Sequence, residues 1–450
     1  MQGLNMVNSY LLEQIHGLFP RRIESALKHD LNSNSRITVL LGSRQVGKTS
    51  LMYRLMEYLL ATEHIAPAQI EYLDLEFPHI LSQVNGMFGQ DFLDFLSARG
   101  MDSSKQCFVF IDEIHYLDEP SSFLKTLHDH FPRVTLIVSG SSSLQIQKKF
   151  KDSLTGRKNI VHVNPLDFHE FLIFKGSSLA ERKSELSIQT ILKNGRLPDL
   201  SELRFLQDEF QKLYDEFTIF GGYPGVVFLN TYEKKIRLIE EIYKSYVMKD
   251  IKDVASIKNL NAFNDMISLL SHQVGSLINI SELCVSLGIS RPTVEHYLFL
   301  LEETFILTAL KPFFTNKRKE IVKSSKIYFN DSGLRNVAAR NMDQFKQRVD
   351  SGMLFENSVF SQLMKSLQPL QSLRYYRTKG KAEVDFILQG KYAIPLEVKS
   401  GVLNEPKIPR SLREFINSYG PEYACLVNRS LWAEQQLNST TLFFLPAWAV

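Results

Sequence analysis

Two kinds of apolar pattern alternate along the first part of the chain. Arg36 to Leu41 (RITVLL), Ile70 to Leu75, Cys107 to Ile111 (CFVFI) and Val134 to Val138 are short apolar runs, which predict strands. LMYRLMEYLL, following the first run after GSRQVGKTS, has helical spacing, so the order is strand, loop, helix within an α/β sheet. From Asn164 to about Ile257 the pattern is mostly helical, as in TYEKKIRLIEEIYKSYVMKDI, with FGGYPG as a loop inside it. In INISELCVSLGISRPTVEHYLFLLEETFILTAL a first amphipathic helix ends at Gly288, and a second starts from a Ser290 cap with Pro292 in its first turn. Farther on, the helix GMLFENSVFSQLMKSL precedes YYRTKGKAEVDFILQGKYAIPLEVKS, a predicted β-hairpin turning at Gln389-Gly390.

A length of 450 residues exceeds one ordinary core, so several domains are expected: 1–163, 164–257, 258–340 and 341–450. The apolar content of 44% and charged content of 22% suit a globular protein, and a net charge of +3 neither demands nor excludes a nucleic-acid partner. Three scattered cysteines (Cys107, Cys284, Cys425) without CxxC spacing suit a reducing, cytoplasmic setting. The first residues lack the pattern of a secretory signal, and the best candidate membrane span, Tyr297 to Leu310, is interrupted by Glu302 and Glu303, so no membrane association is expected. His115, His162, His169 and His296 stand alone, and no zinc site is predicted.

Candidate chemistry begins where the first strand ends. Gly42, Ser43, Arg44, Gln45, Val46, Gly47, Lys48, Thr49 and Ser50 contain the pattern G-x-x-x-x-G-K-T in strand–loop–helix context. Glycines there would let backbone N–H groups curl around the phosphates of ATP, the helix N-terminus would add partial positive charge, Lys48 could reach the β- and γ-phosphates, and Thr49 could ligate the magnesium ion (Mg2+) that bridges them. Asp112 and Glu113 end a second strand, where active sites of open α/β sheets gather; Asp112 would hold the ion through water and Glu113 would polarise the attacking water. The strand Val134 to Val138 ends in Ser139 to Ser143, where Ser141 is a candidate contact to the γ-phosphate; serine and glycine are also ordinary loop composition.

The ordered set GSRQVGKTS, FIDEIHYL, VSGSSSL, LTGRK, NPLDFHEFL, FGGYPGVV and KIYFNDSGLRN resembles bacterial and archaeal AAA+ ATPases with a characteristic C-terminal region. The resemblance implies a P-loop AAA+ core with a helical lid, ATP hydrolysis, and a homo-oligomer in which one subunit completes its neighbour's site. Arg157, in LTGR, is then the candidate arginine finger.

The helix pair after residue 258 has the spacing of a helix-turn-helix with Ile280, Leu283, Leu287, Ile289, Val294 and Leu298 as its core. Ile306 to Phe314 and Lys326 to Phe329 would form a wing, with Arg291, Lys317, Arg318 and Lys319 facing DNA phosphates, although such modules also serve only for packing. In the hairpin, Glu397 and Lys399 lie two apart and share a strand face, and Asp385 joins them across the sheet. Two carboxylates and a lysine in that arrangement suit metal-dependent phosphodiester cleavage, with Glu356 completing the metal set. The pattern resembles the PD-(D/E)XK nuclease superfamily, a restriction-endonuclease-like α/β domain, with Val384 where proline is usual. An active nuclease, an inactive DNA-binding platform and a structural hairpin all remain open from these residues. The leading expectation is therefore an ATP-driven machine acting on DNA with a magnesium-dependent nuclease, for repair, recombination or defence. Its rival is a nucleotide-dependent switch that binds DNA or protein and cuts nothing.

Overall fold

The structure is a computed structural model that describes residues 17–31, 37–140, 156–198, 205–246, 257, 259–313, 324–378, 380 and 382–450. It divides into two compact units, 1–164 and 165–450.

In the first unit, helix α1 (Glu24–Leu31) precedes strand β1 (Ile37–Leu41), helix α2 (Lys48–Ala61), β2 (Ile70–Asp74), β3 (Cys107–Asp112), β4 (Val134–Gly140) and β5 (Asn159–His162). The four strands expected from apolar runs are all present. They form a parallel sheet ordered β2-β3-β4-β1-β5. Every residue of β1, β3 and β4 is buried, as expected of a parallel sheet covered on both faces, and this explains why these strands read as unbroken apolar runs. The order sets β4 between β1 and β3, so the carboxyl ends of these three strands lie side by side.

The second unit begins with helices, including α3 (Phe168–Phe174), α4 (Gln207–Phe220) and α5 (Tyr232–Tyr243). Residues 164–257 are expected to form a helical lid and connector, and their described helices belong to the same compact unit as the C-terminal segment. The physical reason is a shared core: Phe210 stacks on Trp448 at 4.4 Å between ring centroids, Arg429 pairs with Asp215 at 2.9 Å, and Lys183 donates to the Ala449 and Val450 carbonyls.

Next come α6 (Leu260–Ser271), α7 (Ile280–Leu287), α8 (Arg291–Glu303) and the antiparallel pair β6 (Leu307–Leu310) and β7 (Lys326–Phe329). Both helix boundaries match the expectation: Gly288 closes α7 in the left-handed region (φ 64°), and the Ser290 side chain accepts from Thr293 N. Leu283 and Val294 are buried, whereas Ile280, Leu287, Ile289 and Leu298 are only half-buried. The strand pair does not stand out as an exposed wing. All of β7 is buried, Phe313 N donates to Tyr375 O at 2.6 Å, and Tyr375 N returns a bond to Lys311 O at 3.1 Å, which stitches the pair to the next sheet. Lys317, Arg318 and Lys319 lie outside the described residues.

Helix α9 (Ser332–Ala338) carries the NDSGLRN motif, and its role is architectural. Asp331 caps it and also accepts from Gly222 N, while buried Arg335 and Arg348 both pair with Asp350. Then follow α10 (Ser351–Ser366), β8 (Ser372–Arg377), β9 (Glu383–Gln389), β10 (Ala393–Val398), α11 (Arg410–Tyr419), β11 (Tyr423–Asn428), β12 (Ala433–Leu437) and β13 (Thr440–Pro446). These strands make a mixed sheet ordered β12-β13-β11-β10-β9-β8, with β8-β9 and β9-β10 antiparallel and β10-β11 parallel. Val384, Ile387, Leu412, Phe415, Ala424 and Leu426 form the core beneath α11. No helix among the described residues is long and apolar enough to cross a membrane.

Candidate functional site

The loop after β1 is shaped by two glycines. A Cβ on Gly42 would lie 2.1 Å from the Val163 carbonyl oxygen, so no larger residue fits there, and Gly47 adopts φ 95°, a left-handed conformation that favours glycine. Helix α2 begins immediately afterwards at Lys48, so the loop leads into a helix N-terminus, where partial positive charge favours an anion. Lys48 is buried, and its Nζ donates to Gly42 O at 3.0 Å and Ser43 O at 3.1 Å. Ser43 and Val46 are buried, while Gln45 and Ser50 are exposed and Arg44 is intermediate.

Asp112, at the end of β3, is held by hydroxyls. Thr49 Oγ1 donates to Asp112 Oδ2 at 2.5 Å, Tyr72 OH donates to the same oxygen at 3.1 Å, and Ser139 Oγ donates to Oδ1. The two expected magnesium ligands are thus in direct contact across 63 residues of chain. Glu113 takes a left-handed conformation (φ 53°), which is uncommon for a residue with a side chain, and its N–H donates to Ser139 Oγ at 3.0 Å. That twist sets its carboxylate 3.9 Å from Lys48 Nζ and 3.1 Å from His115 Nδ1. Burial, together with the negative charge of Asp112, pushes the Tyr72 phenol well above its usual range. Burial also raises Asp74, and the charges of Asp112, Glu76 and Glu113 add to it, so this sheet end is rich in negative charge.

Three residues not assigned a role at this site by sequence reasoning belong here, Tyr72, His115 and Arg21, and of the hydroxyls in Ser139 to Ser143 it is Ser139 that reaches Asp112. Arg21 is buried, donating from Nη1 to Val46 O and from Nη2 to Asn164 O, each at 2.8 Å, which ties the phosphate loop to the end of the unit. Only long-range pairing identifies it, because nothing in the local pattern FPRR marks a contact 25 residues away. Ser141 lies outside the described residues. Arg157 is partly exposed, and its Nε pairs with Asp129 Oδ1 at 2.8 Å.

A second cluster forms in the other unit. The elements α10, β8, β9, β10, α11 and β11 follow one another as α-β-β-β-α-β, with Glu356 on α10, Asp385 on β9, Glu397 on β10 and Lys399 just beyond it. The hairpin turns over residues 390–392, one step later than expected, because Gln389 is still a strand residue paired with Ala393. Its first strand also carries a bulge. Arg374 pairs with Ile387 but Tyr376 with Val384, so Asp385 and Phe386 together face the single residue Tyr375. The bulge changes the face on which residues fall; Val384 and Ile387 both join the core beneath α11, and Asp385 Oδ2 accepts from Val398 N at 2.8 Å.

Lys399 Nζ donates to Glu397 Oε1 at 2.7 Å. From β7, Lys326 Nζ lies 2.5 Å from Glu383 Oε1 and 3.8 Å from Glu356 Oε1, and Tyr328 OH donates to Glu356 Oε1 at 2.6 Å. Burial and the Asp385 charge push Glu356 and Glu397 each up to about 7, and burial raises Asp385 as well. Burial opposes the lysine charges, but the surrounding carboxylates outweigh it and hold Lys326 and Lys399 above the usual lysine value. An open cleft of about 410 Å³, lined by Gly380, Ala382, Glu383, Arg410, Ser411 and Glu414, meets the cluster at Glu383 and at Ser411, whose Oγ is 3.5 Å from Glu397 Oε2. Among the described residues, no group of three or more His, Cys, Asp or Glu side chains is arranged to hold a metal ion. The expected set Glu356, Asp385 and Glu397 is therefore gathered but not drawn into a cage.

Comparison with known proteins agrees with the first site. Residues 34–172 match the family described as "AAA domain", while residues 211–345 and 351–448 match two families each described as a domain of unknown function (DUF8612 and DUF4143). An uncharacterized protein of Haemophilus influenzae is 26% identical over 334 residues, covering 73% of this chain and 74% of its own. An uncharacterized protein of Methanocaldococcus jannaschii is 24% identical over 387 residues, covering 85% and 78% respectively. Among solved structures, a Walker-type ATPase of Pyrococcus abyssi aligns at 15% identity and TM-score 0.43, over 71% of this chain and 95% of that one. The N-terminal unit thus carries an AAA-type ATPase domain.

Proposed function

We propose that the chain binds and hydrolyses ATP in its first unit to act on DNA, and that the Asp385, Glu397 and Lys399 cluster is a phosphodiester-cleaving, magnesium-dependent centre. At the first site the residues fit magnesium-ATP: the glycine-shaped loop meets a helix N-terminus, and Thr49 already touches Asp112. Gly42 to Ser50 would cradle the phosphates, Lys48 would exchange its carbonyl partners for phosphate oxygens, and Thr49 and Asp112 would hold the ion. When bound, magnesium-ATP supplies the electrophilic phosphoryl group. Glu113, oriented by its twisted backbone and by His115, would polarise water. Arg157 would serve a neighbouring copy in a homo-oligomer, which requires it to leave Asp129.

The nuclease reading is carried by one observation: the α-β-β-β-α-β order gathers Glu356, Asp385, Glu397 and Lys399, separated in sequence, into one cluster beside an open cleft. Lys326 lies against Glu356 and Lys399 pairs with Glu397, and among the described residues no three acids are arranged as a cage, so holding a magnesium ion would require these lysine pairings to open. That same lysine pairing favours a second reading, a nucleotide-dependent switch whose C-terminal region binds DNA or protein without cutting. Labelled linear, single-stranded and branched DNA incubated with the protein, with and without magnesium, manganese and ATP, separates the two. Metal-dependent cleavage lost in Asp385→Ala supports the nuclease. Binding without cleavage of any form, unaffected by Asp385→Ala, supports the switch.

A further inference from the structure

The cluster contains more cations than its sequence motif announces, and the additional one of greatest consequence comes from a strand outside that motif. Lys326 lies on β7, and its side chain is only 2% exposed. Its ammonium is held on three sides: Glu383 Oε1 at 2.5 Å, Glu356 Oε1 at 3.8 Å, and the Tyr375 ring, whose centroid is 5.7 Å away. The strand that carries it is itself anchored. Lys326 pairs with Leu310 of β6 and bridges to Leu277, and Tyr328, two residues along, grips the same Glu356 oxygen. Residues two apart share a strand face, so β7 presents an ammonium and a phenol to the cluster as one unit.

We infer that Lys326 is the resident counter-cation of this carboxylate cluster, and that β7, by inserting it, opposes uptake of a divalent cation. With every carboxyl ionised, as ligation of a divalent cation requires, four carboxylates among the described residues (Glu356, Glu383, Asp385, Glu397) meet three cations (Lys326, Arg377, Lys399), which leaves one net negative charge. A divalent ion added to that balance leaves excess positive charge in a buried place. Removing Lys326 leaves two net negative charges, which one divalent ion neutralises. Burying uncompensated charge is costly, so the cluster without Lys326 has a strong reason to take up the ion. Lys399 does not play the same part, since it is about half exposed and can swing aside, whereas Lys326 leaves only if β7 moves. Control of cleavage by this lysine rests on the nuclease reading; control of ion uptake does not.

The test uses the full chain without nucleotide and measures Mn2+ binding by electron paramagnetic resonance in wild type, Lys326→Met, Lys326→Arg and the double variant Lys326→Met with Asp385→Asn. Lys326→Met should bind Mn2+ at least about tenfold more tightly than wild type, as expected when a like charge within a few ångströms is removed. Lys326→Arg should resemble wild type, and the double variant should lose the gain. Unchanged Mn2+ affinity in Lys326→Met, or a gain that survives Asp385→Asn, overturns the role. If Lys326→Met does not fold alone, refolding with Mn2+ should restore its native circular dichroism, and failure to do so also overturns it. Tight Mn2+ binding without DNA cleavage would leave the Lys326 role standing and remove the nuclease, whereas wild-type cleavage with no gain in Lys326→Met would do the reverse.

Discussion

The two acid sites of this chain each bring strand carboxylates near a lysine, yet they hold the acids differently. In the first unit Asp112 is oriented by the hydroxyls of Thr49, Tyr72 and Ser139, and Lys48 donates to backbone carbonyls. In the second unit Glu397 is held by Lys399, and Glu356 and Glu383 by Lys326. A hydroxyl fixes the direction of a carboxylate without cancelling its charge; an ammonium does both. The first arrangement leaves the charge of Asp112 uncancelled. In the second, the cation is already built into the fold.

The largest effects should come from destroying one site and reading the other. Asp385→Ala should abolish any metal-dependent DNA cleavage while steady-state ATP hydrolysis continues. Lys48→Ala should lose ATP binding and turnover while leaving ATP-independent cleavage unchanged. Loss of both activities in either variant would show that the two sites are not separable.

Next in size is the arginine finger. Arg157→Ala should slow ATP hydrolysis by roughly 10³- to 10⁵-fold if the residue stabilises the transferring phosphoryl group. Mixing Arg157→Ala with Lys48→Ala protein should recover part of the rate, since a mixed interface can pair an intact loop with an intact finger. A stable monomer with full activity would remove Arg157 from this role.

Glu113→Gln should retain bound ATP while turnover falls by roughly 10²- to 10⁴-fold, the usual scale of general-base catalysis. An undiminished turnover would leave the twisted backbone of Glu113 without a catalytic purpose.

The smallest effect distinguishes the clusters by pH. Glu356 and Glu397 have folded-state values near 7, above their ordinary value of 4.5, with Asp385, Glu383, Lys326 and Lys399 facing them. Between those limits the folded state binds more protons than the unfolded chain, so stability falls as pH rises from about 4.5 to about 7. Thermal unfolding of the second unit should therefore shift downward across that window, and Glu356→Gln combined with Glu397→Gln should flatten the dependence.

The sequence by itself determined the local parts. Spacing along one strand–loop–helix connection places Gly42, Gly47, Lys48 and Thr49 within a few residues, and the chain's covalent geometry then brings them together. The same holds for the Gly288 stop and the Ser290 cap, and the hairpin turn falls within one residue of its expected place. Only the tertiary structure decided which distant residues complete each site. Ser139 reaches Asp112 because β4 lies between β1 and β3, Asp385 is turned by a bulge seen only in its pairing with β8, and Lys326 enters the C-terminal cluster because β7 is stitched to the neighbouring strands. The helices of 164–257 likewise join the C-terminal segment through Phe210, Asp215 and Lys183 rather than through any pattern of their own. Periodicity records which face of an element is buried, but not what it is buried against, and that choice belongs to packing over the whole unit.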